Sequence, residues 1–472
     1  MEKNQRSELV GRYPAYRFIN IRPGGNNTSL IDGITTDPSI RKQVNDKIMR
    51  LYPDIEQVGF INRNPSDPEL MMAGGEFCGN ATRSTAYLAL DGRPGEVNIK
   101  VSGVSEPLRA GVTSNGEAFS EMPVYADGNR VEQDTKNPKA STVYMEGITQ
   151  YVVWDDPKVR GKKPEEIKQY AREILKQKGY DTDFPAAGVM FVEKTLRGIE
   201  MRPVVYVRDI GTTFYETACG SGTTAVAMVL AKQDRQSVID LPIIQPSGMA
   251  IWVSVDYDPI LNEFGKAQIS GSVEELGGGL LVESSKGDYA IERITSMQKL
   301  QVAIAEYNLV RAYDVFKDPP YNEQFTDKEV IEIFERYVDK GVLFISRNTD
   351  RGVIGFGAVM PLFEEGEISR LARGYGIDQK NAFYLADLGV VDDFRREYMG
   401  KQLVLERLRI LPEGSTAIMR TSESNTASQN LYTKLGFTQV EGMEQEVTQR
   451  RENGEIKADR RIFFSKVIQN NE

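Results

Sequence analysis

Two stretches of this chain share one local pattern, Cys78-Gly79-Asn80-Ala81-Thr82 and Cys219-Gly220-Ser221-Gly222-Thr223, and they hold its only two cysteines. Each cysteine stands just ahead of a run that reads as helix, Thr82 to Leu90 in one case and Thr223 to Lys232 in the other. Each thiol therefore belongs at a helix N-terminus. A repeated unit of this kind predicts two α/β halves within the first 290 residues, each supplying one cysteine at a helix start.

The unpaired N–H groups and the positive dipole end of a helix stabilise an anion there, either the thiolate or a ligand carboxylate. A free cysteine titrates near about 8.5 and helix N-termini lower that value, so both thiols are expected to serve as bases near neutral pH. The pair also has a structural reading, a disulfide, and a redox one, reversible oxidation of two facing thiols. The chain has no histidine, which removes imidazole acid–base chemistry, Ser-His-Asp and Cys-His catalysis and histidine metal sites. Proton transfer must use Cys, Asp, Glu, Lys or Tyr.

At 472 residues the chain is too long for one ordinary domain. Its net charge of −10 and the lack of a Lys/Arg block argue against a nucleic-acid partner. The start, Met1 to Arg12, is polar and no stretch reaches 18 uninterrupted apolar residues, so no membrane partner is expected and the cytoplasm is the expected location.

Strands are predicted at Tyr16 to Ile21, returning through a Gly/Asn turn to Ile31-Asp32, and at Gln57 to Asn62, Glu96 to Ser102, Ser141 to Trp154, Gly188 to Glu193 and Pro203 to Val207. Ile167, Tyr170, Ile174 and Leu175 give Pro164 to Gly179 a helical period. Glu283 to Asp288 reads as a linker, and a new pattern follows: one helical run from Ser296 to Tyr313, a helix at Asp327 to Lys340, strands at Val342 to Arg347, Gly352 to Met360 and Phe383 to Val391, and a helix from Gly400 to Leu411. Domains are thus expected at 1–290, with lobes of about 1–135 and 136–290, and at 298–472.

Inverting an amino acid at Cα requires two groups on opposite faces of one carbon, one deprotonated and one protonated. Two thiols on repeated elements meet that demand. The helix starts at Gly79-Asn80 and Gly220-Ser221 suit the substrate carboxylate, where small residues allow close approach of backbone N–H groups. Holding that carboxylate stabilises the developing carbanion without pyridoxal phosphate.

These residues resemble the diaminopimelate epimerase family, the cofactor-independent two-cysteine racemases. Glu76-Phe77-Cys78-Gly79-Asn80-Ala81-Thr82-Arg83 is similar to that family's first motif, and Ala218-Cys219-Gly220-Ser221-Gly222 to its second. Pro23-Gly24-Gly25-Asn26-Asn27-Thr28-Ser29-Leu30-Ile31-Asp32 is similar to its N-terminal motif. The resemblance implies a pseudo-symmetric two-lobed α/β fold, catalysis by Cys78 and Cys219 without a cofactor, a contact of Asn26 with the substrate near Cα, and a homodimer.

The chain departs from the family where the far end of diaminopimelate is read, at Gly147-Ile148-Thr149-Gln150, Ala186-Ala187-Gly188-Val189 and Asp209-Ile210-Gly211-Thr212. Another amino acid is therefore expected, with Glu216 or Asp209 available for its side chain. The region also resembles the branch of the family that includes histidine racemases, which makes histidine a candidate substrate.

Residues 298–472 resemble the GNAT acyltransferase superfamily. Arg395-Arg396-Glu397-Tyr398-Met399-Gly400, after the strand that carries Val390, is similar to its pyrophosphate loop. Asn425-Thr426-Ala427-Ser428-Gln429-Asn430-Leu431-Tyr432 resembles its last motif. This implies acetyl-CoA held by Val390, Arg395, Met399, Gly400, Asn425 and Tyr432, with Tyr432 the acid toward the leaving thiolate. Tyr398 replaces the middle loop glycine and is expected to crowd the pyrophosphate. Two further readings stay open: an acetyltransferase whose front half only binds an amino acid, and a racemase whose C-terminal domain only makes contacts.

Overall fold

The computed structural model describes residues 8–450 and 454–469. The chain divides into two compact units. Arg17–Leu276 forms the first, and Glu8–Tyr16 together with Gly277–Glu472 forms the second. The division at Leu276/Gly277 lies ahead of the junction expected at 290. Its cause is apolar: Leu280, Val282, Tyr289 and Ile291 share a cluster with Phe344, Ile354 and Leu403, and the early residues Val10, Tyr13 and Ala15 join it.

In the first unit each cysteine helix follows antiparallel strands and leads into others. Strand Gln57–Asn62 pairs antiparallel with Glu69–Met72 ahead of helix Gly79–Ala89, which is followed by the hairpin Gly95–Val101 and Leu108–Val112. Likewise Ala186–Thr195, Gly198–Val207 and Thr212–Tyr215 form an antiparallel series ahead of helix Gly220–Asp234. That helix leads into the series Val238–Ile244, Ala250–Asp258 and Glu263–Gly271.

Both cysteine helices are buried on nearly every side. Their sequences show why. GNATRSTAYLA and GSGTTAVAMVLAKQD supply small residues around the whole circumference in place of a polar face. A Cβ built on Gly220 would lie 2.6 Å from Ile269, and one on Gly222 would lie 2.1 Å from Met190. Glycine is required there by close packing, and larger residues would force the helix off the sheet. Truncating the fully buried Met190 to alanine is expected to cost about 2–5 kcal/mol.

The strand expected at Ser141 to Trp154 is a hairpin, Ala140–Met145 and Ile148–Trp154, turned at Gly147 where φ is +79°. The helix at Pro164–Lys178 ends as the sequence suggests, with Gly179 in the left-handed region.

In the second unit Tyr289–Ile294, Val342–Asn348, Gly352–Pro361 and Ala382–Val390 form an antiparallel series. The helical run expected from Ser296 to Tyr313 breaks into Met297–Glu306 and Leu309–Ala312. Val353 N–H bonds the Tyr307 carbonyl at 2.6 Å, and Asn308 takes a left-handed φ of 56°, so the first helix cannot continue.

Strand Ala382–Val390 then pairs parallel with Thr416–Ser422, but only at Ala382, Phe383 and Tyr384. Beyond Tyr384 the two strands part. Residues 385–390 are left facing a cleft, flanked by helices Met399–Arg409 and Thr426–Lys434.

Candidate active site

Cys78 and Cys219 cap their helices in the same way. Each has extended backbone angles, and each sulfur accepts an N–H from the first turn, that of Ala81 or Gly222, at 3.4 Å. Both are free thiols, so the disulfide reading does not hold, and both line one cavity. The helix ends are tied together: Asn80 donates to the Ala218 carbonyl at 3.0 Å and accepts from the fully buried Arg83 at 3.1 and 3.2 Å. Gly79, Asn80, Gly220 and Ser221 line the same cavity.

Hydrogen bonds run from one sulfur towards the other. The Cys78 thiol donates to Gln57 Oε1 at 2.8 Å and Gln57 Nε2 donates to Glu216 Oε1 at 2.7 Å, while Glu216 interacts with Cys219, whose sulfur lies 3.6 Å from Ser221 Oγ. Gln57 is a residue that sequence reasoning missed. Two further carboxyls, Glu56 and Glu76, also line the cavity and were missed as site residues. Glu76 stands two residues before Cys78, much as Glu216 stands three before Cys219, and that parallel was visible in the sequence.

Burial pushes Glu216 up to about 8, against the hydrogen bond from Cys219. It pushes Glu56 up to about 7, opposed by Thr217, and Glu76 up to about 7, opposed by backbone N–H groups and Arg41. The thiols move the same way. Burial drives Cys78 far above its ordinary value despite the Ala81 N–H, with Glu216 and Glu76 adding to the rise. Burial and the Glu216 carboxyl do the same to Cys219. The expectation that the helix starts lower both thiols is thus corrected: the helix N–H groups do not offset dehydration beside Glu216 and Glu76. Both cysteines rest as thiols.

Other expected residues fall elsewhere. Asn26 is fully buried and lies behind the cavity wall, its amide spent on Glu56 at 2.8 Å and on Thr28 at 2.8 Å. Asp209 is exposed, pairs with Arg208 at 3.0 Å and does not line the cavity, though its charge adds to the rise of Glu76. The cavity measures about 30 Å³, room for one water, so an amino acid enters only when its walls part.

The cleft of the second unit is far larger, about 1110 Å³. Val390, Arg395, Gly400, Asn425 and Tyr432 line it. Met399 does not: its side chain is buried with Phe394 and Leu403, which leaves only its backbone for a ligand. Arg395 braces the loop, bonding the Val390 carbonyl at 3.0 Å and Asp318 at 3.1 Å. Asn425 caps its helix through Ser428 N–H at 3.0 Å and donates to Tyr321 at 3.1 Å. The Tyr432 oxygen accepts from Arg407 at 2.9 Å, and Arg407 is itself fully buried and held by the Ala358 and Ala386 carbonyls. Tyr398 is absent from the lining. Its ring lies over Gly11 and edge-on to Tyr13, with centroids 6.4 Å apart, within the same unit.

A repeated thiol-capped helix around one cavity is the arrangement of an amino-acid racemase domain, and the splayed strands beside a wide cleft lie in a domain similar to the acetyltransferases. The family model described as the histidine racemase CntK N-terminal domain matches residues 15–281, and the chain belongs to that family. Residues 309–437 match the acetyltransferase (GNAT) family. A histidine racemase of Fusobacterium nucleatum subsp. nucleatum is 31% identical over 253 residues, covering 51% of this chain and 90% of the relative. A histidine racemase of Staphylococcus aureus is 25% identical over 249 residues, covering 50% of this chain and 88% of the relative. Among solved structures, a hydroxyproline epimerase from Agrobacterium vitis aligns with a TM-score of 0.41 at 13% identity, over 57% of this chain and 92% of that one. Among the described residues no helix is long and apolar enough to cross a membrane.

Proposed function

We propose that the first unit inverts Cα of histidine with Cys78 and Cys219 as opposed acid and base, without pyridoxal phosphate. The observation that carries this reading is the hydrogen-bonded run Cys78, Gln57, Glu216, with the Glu216 carboxyl interacting with Cys219. It offers a place for the one proton that must leave a resting thiol. When Cys219 acts as base, its proton passes to Glu216, whose value near 8 keeps it within reach of both states. The freed thiolate takes the Cα proton, and the Cys78 thiol supplies a proton to the opposite face. The reverse direction exchanges the roles. The substrate carboxylate meets the N–H groups of Gly79, Asn80, Gly220 and Ser221, where it draws charge from the carbanion. The names of the relatives support histidine as substrate.

We further infer that the second unit uses acetyl-CoA. The residues fit the group: the parted strands expose backbone along 385–390, and the start of helix Met399–Arg409 meets the cleft at Gly400 beside Arg395 and Arg396. When bound, acetyl-CoA supplies the acetyl group for transfer to an amine. Tyr432 is held by Arg407 with its own proton free to donate to a leaving thiolate.

Incubation with L-histidine in D₂O tests the first reading. Deuterium should appear at Cα and disappear in Cys78→Ala and Cys219→Ala. Full exchange in either variant overturns the thiol pair. Acetyl-CoA binding by calorimetry tests the second reading.

A further inference from the structure

Three buried polar atoms that have no partner among the described residues line the cysteine cavity: Asn45 Oδ1, Glu76 Oε2 and Thr212 Oγ1. Buried polar atoms left without a partner are costly, so three of them around one cavity call for an occupant. Two of them fix its chemistry. An amide oxygen accepts only, and an ionised carboxylate accepts only. The occupant therefore donates.

The surroundings narrow it further. Glu56, Glu76 and Glu216 line one cavity, where a further carboxylate would add to the cost that already raises all three. Beside them stand Ile148, Val207 and Phe214, which offer flat apolar contact. The Glu76 carboxyl lies in that apolar part: a Cβ built on Gly74 would stand 2.7 Å from Glu76 Oε2, 2.6 Å from Val207 and 3.5 Å from Ile210. Asn45 lies one helical turn after Arg41, whose charge favours the ionised form of Glu76.

We propose that Glu76, with Asn45 and Thr212, forms the subsite that reads the substrate side chain, and that it selects a planar nitrogen donor such as imidazole. This rests on the racemase reading for the placement of Cα between the thiols, and it assigns Glu76 to specificity rather than to proton transfer. An imidazolium presents two N–H groups and two apolar faces, which match the acceptors and the walls. A side chain ending in a carboxylate adds a fourth acid to three crowded carboxyls, and an aliphatic one leaves the acceptors empty.

The test is calorimetric binding of L-histidine, L-leucine and L-glutamate to the full chain and to Glu76→Gln. The wild type should bind histidine at least tenfold more tightly than leucine, with glutamate weakest. In Glu76→Gln, histidine affinity should fall about ten- to a hundredfold while leucine stays within twofold, because one charge-assisted hydrogen bond is removed without a change of shape. An equal loss for both amino acids would assign Glu76 to the fold and overturn the proposal, as would unchanged histidine affinity or glutamate binding equal to histidine. Should Glu76→Gln not fold, Thr212→Val serves instead, with an expected three- to tenfold loss for histidine alone. Deuterium exchange at Cα in the wild type reports separately on the chemistry: selective histidine binding without exchange fells the racemase reading and keeps the subsite.

Discussion

The two cavities of this chain differ by more than thirtyfold in volume, about 30 Å³ around the cysteines against about 1110 Å³ in the second unit. The small one is walled by buried carboxyls and thiols whose protons are all held above their ordinary values. The large one is opened by strands that stop pairing after Tyr384. Proton transfer at one carbon gains from a dry, closed site in which few groups share one proton. A long thiol-bearing cofactor needs length and exposed backbone instead. The same chain thus builds one site by excluding volume and the other by failing to close a sheet.

The largest expected effect breaks the comparison on the racemase side alone. Cys78→Ala and Cys219→Ala should each lower histidine Cα exchange by about a thousandfold or more, in line with loss of an acid–base group, and leave acetyl transfer unchanged. Next, Tyr432→Phe should lower acetyl transfer about ten- to a hundredfold with exchange untouched, since the hydroxyl, both its proton and the oxygen that accepts from Arg407, is removed from a ring otherwise packed on Phe437. Steady-state kinetics of both activities on each variant would check this double dissociation. A shared loss would mean that the two sites are not independent.

Glu216 sharpens the contrast in protonation. Its carboxyl is raised to about 8 by burial, so below that pH it holds a proton and cannot take one from Cys219. The kcat/KM for histidine should therefore rise with pH up to about 8, and Glu216→Gln should flatten that limb with a loss of about tenfold at its top. The same groups set stability. Glu56, Glu76 and Glu216 keep protons in the folded chain up to about 7, 7 and 8. The unfolded chain releases them near about 4.3. Between those values the folded state binds more protons, so stability declines as pH rises through the window. Melting temperature should be higher at pH 5.5 than at pH 8.5, and Glu76→Gln should weaken that slope.

The sequence shows the cysteine units clearly because glycine, cysteine and a small-residue helix form a local pattern, and local patterns survive without coordinates. Strand Gln57–Asn62 and helix Asp327–Lys340 are legible for the same reason, through a short apolar run and a capping box at Thr326 and Glu329. What sequence reasoning misses is long-range. Gln57 meets Cys78 and Glu216 only because strand Gln57–Asn62 pairs with Thr28–Asp32 and Glu69–Met72. The thiol shift is missed because dehydration depends on which carboxyls the fold brings near, and the bond from Asn26 to the cavity-lining Glu56 because it joins residues 30 positions apart. The place of residues 8–16 in the second unit is missed because Val10, Tyr13 and Ala15 look like the opening of the strand that continues to Pro23.

Those early residues carry the smallest expected effect. Tyr398 takes a left-handed φ of 62° where a glycine is expected, at a cost of about 1–2 kcal/mol. Its ring is set over Gly11, whose own φ is +65°, and edge-on to Tyr13, and Tyr13 bonds the neighbouring Glu397. The bulk that threatened to crowd the pyrophosphate loop is turned onto the 8–16 segment. Tyr398→Gly relieves the strain and loses the ring contacts, two terms of similar size, so stability should change by about 1 kcal/mol at most. Acetyl-CoA affinity should stay within threefold of the wild type. A tenfold gain would show that the ring does obstruct the loop, and would make the large cleft a restrained site like the small one.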